Sequence, residues 1–147
     1  MAPIRQPSRS VLMTMRLWVG ALLLAFVAGG CAPTPAPPDA VTIAFRFSRF
    51  EPGTVRVPVG VPVTITLQND DPIGHEWIVG PPGIHAVHRI GTEPTHEGRP
   101  DEVTVLPFAT RTTTITFDQP GALDFICHLP GHEAYGMRGT LTVSARA

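Results

Sequence analysis

The chain predicts an all-β sandwich, and three observations carry that expectation. From Val41 onward, short runs rich in Val, Ile, Thr and Phe recur, with Gly, Pro, Asp or Asn between most of them. Within the runs apolar and polar residues alternate at the period of a half-buried strand, and no segment sustains the 3.6-residue apolar period of a helix. Proline, at 17 residues, is also too frequent for long helices.

In the first run Val41, Ile43, Phe45 and Phe47 alternate with Thr42, Ala44 and Arg46. A run at 54–57 follows Pro52-Gly53, and another at 61–67 follows Gly60. Asn69-Asp70-Asp71-Pro72 reads as a turn, so His75 begins the next strand, 75–79, which stops at Gly80. Runs at 102–106, 111–117, 122–127 and 138–143 bring the total to about eight short strands, expected to pair antiparallel in two facing sheets. Segment 81–100 breaks the spacing with a long loop, a class that is commonly functional, holding three histidines and a short helical turn near 84–89. His85 and His88 are three apart, close enough to share a helical face, and His96 lies further along. A second metal site is one reading of these three; a solvated polar loop is the simpler one.

The domain is expected to span 41–147, behind two segments of different character. Arg5, Arg9 and Arg16 precede the apolar run 17–27 and then Ala28-Gly29-Gly30-Cys31, the pattern of an export signal over 1–31. Small residues before a cysteine at this point resemble the lipobox of bacterial lipoproteins, which implies that Cys31 is acylated and tethers the chain to a membrane. Residues 32–40 are Pro-rich and read as an extended spacer. The expected location is therefore outside the cytoplasm, in the periplasm or at the cell surface. Three of the 11 basic residues lie in the export segment, leaving 8 against 12 acidic ones; there is no lysine and no basic cluster, so nucleic-acid binding has no electrostatic footprint.

Of the two cysteines, Cys31 is assigned to the lipid, and Cys127 is then a lone thiol in an exported domain. Metal ligation would give that thiol a role. Cys127, His132 and Met137 are spaced Cys-x4-His-x4-Met on a loop between two strands, and His75 is available after its turn. Thiolate and thioether beside imidazole select copper, and a His2Cys site with a weak axial Met marks one-electron transfer. Leu123, Phe125 and Cys127 share one strand face, so Cys127 is expected to point into the core and His128 away from it. His128 is accordingly placed at the surface or as a cap on a neighbour, and Glu76 and Glu133 are read as solvent-facing.

With these residues in view, the region 41–143 resembles a type 1 blue copper protein of the cupredoxin family. The resemblance rests on Phe125-x-Cys127, Pro130-Gly131-His132, Gly136-Met137-x-Gly139 and Gly74-His75-x-Trp77. The last element is similar to azurin, and the ligand-loop spacing is similar to rusticyanin and sulfocyanin. The resemblance implies a Greek-key β-sandwich holding one mononuclear copper. His75, Cys127 and His132 would be the equatorial ligands and Met137 the axial one. It further implies a monomeric electron carrier rather than an enzyme, exchanging electrons with redox protein partners through an apolar patch around Leu129, Pro130 and Ile73. Two positions depart from the pattern: Glu76 stands where Asn or Ser is common, and His128 where Ser or Thr is. Copper storage or delivery, and a zinc-stabilised binding module, are the competing readings.

Overall fold

A computed structural model describes residues 38–92 and 95–145. The expected export segment, Cys31 and most of the spacer lie outside these. The described elements are β1 (Ala40–Phe45), β2 (Phe50–Glu51), β3 (Thr54–Pro58), β4 (Pro62–Asn69), β5 (His75–Gly80), α1 (Pro82–His88), β6 (Glu102–Val105), β7 (Thr110–Thr116), β8 (Gly121–Ile126) and β9 (Arg138–Ser144). Each of the eight expected strands is present; the addition is β2, whose two residues are too few to show alternation.

The strands form two sheets, ordered β2-β1-β4-β7 and β3-β9-β8-β5-β6. Most neighbours are antiparallel, as expected, but two pairs are parallel. Val41 lies opposite Ile65 in β1–β4, and Val55 opposite Leu141 in β3–β9. Alternation within a strand reports which face is buried and not which way its neighbour runs. Strands whose partners arrive by crossing to the facing sheet need no hairpin, so direction was not legible.

The core lies between the sheets. β4 shows the alternation most plainly: Val63, Ile65 and Leu67 are all fully buried between more exposed threonines. Phe45, Trp77, Phe125 and Leu141 meet them and are likewise fully buried. Each such side chain contributes about 1.5–3 kcal/mol by leaving water.

Helix α1 bears out the helical turn expected near 84–89 and corrects the solvated reading of its histidines. Pro82 occupies its first turn, where a missing N–H costs nothing. The helix packs on the outer faces of β5 and β8. The contact is close: a Cβ added at Gly80 would stand 2.9 Å from Ile84 Cγ2. As a result β5 is buried at every position, on both faces. Glu76, expected at the surface, is 1% exposed, and His128, also expected there, is 8% exposed. His85 and His88 face inward from the helix and are buried.

Candidate metal centre

Strand parity and turn position bring three of the expected ligands together. His75 opens β5, Cys127 directly follows β8, and His132 stands on the loop that leads to β9. Their ligand atoms lie within 4.8 Å of one another. His132 Nδ1 is 3.3 Å from Cys127 Sγ and 3.1 Å from His75 Nδ1. Cys127 shares the inward face with Phe125, and both are fully buried. The edge of Phe45 stands against the His75 ring, with centroids 5.9 Å apart, and limits its rotation.

The loop itself is closed by its backbone. Cys127 N–H donates to Met137 O at 3.1 Å, and Met137 N–H donates to His132 O at 3.0 Å. Gly131 and Gly136 supply the positive φ values, 84° and 95°, that this path requires. Met137 is fully buried at the foot of the loop, whereas His132 is partly exposed.

Asp71 is a functional residue the sequence reading missed. His75 Nε2–H donates to Asp71 Oδ2 at 2.9 Å, which leaves the Nδ1 lone pair to the cluster, where His132 Nδ1 is 3.1 Å away. The same carboxylate accepts the N–H groups of Phe47 at 2.7 Å and Ser48 at 2.8 Å. Those residues form the β1–β2 hairpin turn, both with φ of 53°, a conformation that glycine or asparagine normally occupies. Burial alone would raise the Asp71 carboxyl, but these donors hold it below its ordinary value. The signal available in sequence was Asp71 four residues before His75, across the 69–72 turn.

Glu76 turns out to serve the cysteine from both its ends. Its N–H donates to Cys127 Sγ at 3.5 Å. Its Oε1 accepts the N–H of His128, the residue after the cysteine, at 2.6 Å. The carboxylate therefore ties strand to ligand loop.

Electrostatics define the protonation state the site starts from. Burial lowers His75 and His132 below the ordinary imidazole value, so both are neutral at neutral pH and able to ligate. Burial pushes the Cys127 thiol up to about 11, against the N–H groups of Glu76 and Leu129. Without a cation the thiol keeps its proton at pH 7; an ion bound to the thiolate must displace it. Copper uptake between pH 7 and 8 should therefore release about one proton per ion. Calorimetry in buffers of different ionisation enthalpy measures it, and a release near zero would remove Cys127 from the ligand set.

Residues 41–144 match the family model described as copper binding proteins of the plastocyanin/azurin family. A copper-resistant cuproprotein, CopI, of Pseudomonas aeruginosa is 28% identical over 126 residues, covering 64% of this chain and 70% of that protein. CopI of Rubrivivax gelatinosus is 30% identical over 98 residues, covering 65% of this chain and 59% of that protein. Among solved structures, auracyanin from Roseiflexus castenholzii superposes with a TM-score of 0.63 at 23% identity, over 74% of this chain and 98% of that one. Auracyanin A of Chloroflexus aurantiacus, described as a blue copper protein, gives a TM-score of 0.59 at 23% identity, over 71% and 98% of the two chains. These likenesses agree on the β-sandwich, and the cluster of His75, Cys127 and His132 fits a single type 1 copper ion. The chain belongs to the plastocyanin/azurin family of copper binding proteins.

Proposed function

We propose that this protein is a mononuclear type 1 copper electron carrier, with His75, Cys127 and His132 as equatorial ligands and Met137 as the axial one. The observation that carries the reading is the His2Cys cluster of His75, Cys127 and His132, whose ligand atoms lie within 4.8 Å of one another. Copper supplies a one-electron couple between Cu(I) and Cu(II). The chain's own part is to fix the donors. Asp71 sets the His75 tautomer, Phe45 limits its ring, and the Cys127–Met137 backbone bond fixes the loop. Donors that stay in place in both oxidation states keep reorganisation small. His132, the one partly exposed residue of the four, is the exit toward a partner. Leu129, Pro130 and Ile73 are proposed as the apolar contact. We assign the carrier no turnover of its own and place it, as a monomer tethered through Cys31, outside the cytoplasm.

Loading with Cu2+ should produce an intense visible band from thiolate-to-copper charge transfer, bleached by one electron and restored on oxidation. A colourless, redox-silent complex would sink the proposal. Met137→Leu removes a donor that Cu(II) uses more than Cu(I). It should raise the potential by on the order of 60 mV, a tenfold shift of a one-electron equilibrium, with copper still bound. An unchanged potential removes Met137 from the axial role.

Copper handling is the second reading, favoured by the likeness to two copper-resistant cuproproteins. Copper transfer to a chelator that outpaces electron exchange with a redox partner would select it.

A further inference from the structure

Beneath α1 lies a second group of imidazoles and carboxylates that the copper cluster does not use. We propose that His88, His96 and Glu102 form a second metal site, for a divalent ion of the imidazole-and-carboxylate class such as Zn2+ or Cu2+. The inference stands apart from what the first site does, since none of the three residues belongs to it.

The donor atoms lie within 4.8 Å of one another. His88 Nδ1–H donates to Ile84 O at 2.8 Å, leaving the Nε2 lone pair aimed at Glu102 Oε2, 3.5 Å away. His96 Nε2 is 3.2 Å from Glu76 Oε2 and 3.1 Å from Thr92 Oγ1. With its proton on that nitrogen, His96 turns its Nδ1 lone pair toward the same Glu102 Oε2, at 3.2 Å. Arg99 Nη2 holds the other carboxylate oxygen, Oε1, at 2.8 Å. With those tautomers two nitrogen lone pairs meet one carboxylate oxygen, while Glu102 Oε1 has the Arg99 ion pair but no hydrogen bond.

The two imidazole rings stand 5.3 Å apart, centre to centre. One divalent ion satisfies all three lone pairs at once. A backbone carbonyl behind one histidine and a carboxylate behind the other are the outer partners that metal-ligating histidines ordinarily have. The side chains of His88, His96 and Glu102 are 7%, 4% and 4% exposed, so the three groups are shielded from water. A cleft of about 620 Å³, lined in part by His96, Arg99 and Glu102, gives an ion its way in. The set has no sulfur, which disfavours Cu(I), and too few oxygens for Mg2+ or Ca2+.

The test uses the copper-loaded protein, whose visible band reports the first site. Equilibrium dialysis against Zn2+ should show one further ion retained with the band intact. Glu102→Gln and His96→Gln should each weaken that retention by at least about tenfold without removing the colour. No retained Zn2+ in the wild type, or retention undiminished in both variants, overturns the proposal. Should either variant fail to fold, the wild type given a second equivalent of Cu2+ decides. A new paramagnetic signal split by two nitrogens supports the site, and a signal without nitrogen coupling, or none, refutes it.

Discussion

Asp71→Ala should weaken copper binding about 10–100-fold, the usual cost of losing a partner behind a metal-bound histidine, and destabilise the metal-free protein by roughly 3 kcal/mol. Both effects follow from one carboxylate with three donors: the N–H groups of Phe47 and Ser48 and the His75 ring. Without it, two turn residues keep their positive φ with no compensating bond. Asp71→Asn separates the two effects. Its amide oxygen can still accept from Phe47 N–H, but the NH2 that replaces Oδ2 faces both His75 Nε2 and Ser48 N–H. The imidazole proton then favours Nδ1, the atom that must ligate. Asn should therefore keep part of the stability and lose most of the affinity. Unchanged affinity in both variants, measured by competition with a copper chelator, would remove Asp71 from the site.

Gly139→Ala should be the most damaging single methyl addition near the site. Gly139 lies opposite Phe125 in the β8–β9 register. A Cβ there would overlap Phe125 Cε2 and Cζ and stand 2.6 Å from the backbone oxygen of Gly53. The oxygen cannot yield without moving the start of β3. The ring cannot yield either, because it is packed edge-on against Phe50 at 5.1 Å and beside Trp77 at 6.3 Å. Overpacking costs about 1–3 kcal/mol, and two blocked neighbours place this case at the upper end. For a domain of this size the melting midpoint should fall by about 15 °C. Since Phe125 stands two residues before Cys127, the copper band should shift as well. Phe125→Leu in the same chain should recover part of the loss. A midpoint within about 2 °C of wild type would show that the ring is not where it is described.

The strands were legible because one face of each is buried and the other is not, which alternation records directly. The parity of Leu123, Phe125 and Cys127 likewise gave the inward direction of the thiol, and the turn at 69–72 gave the start of β5. What escaped depended on packing between distant segments. Nothing local to Glu76 or His128 says that a helix will cover them, because the cover is α1, which is brought back across β5 and β8. The burial of His85, His88 and His96 is the same event seen from the other side. Asp71 escaped for a related reason. Its role joins a turn at 46–49 to a histidine at 75, and neither end announces the other. The parallel neighbours of β1 and β3 are set by which sheet a strand reaches, information that its own residues do not hold.

The backbone bond between Cys127 N–H and Met137 O closes the base of the ligand loop, eleven residues from one to the other. Two further ties reach its interior: Glu76 Oε1 accepts from His128 N–H, and Arg89 pairs with Glu133. The loop is therefore fastened to β5 and to the end of α1 as well as at its own base. A change in its length would be felt in the strand and the helix as well as at the donors.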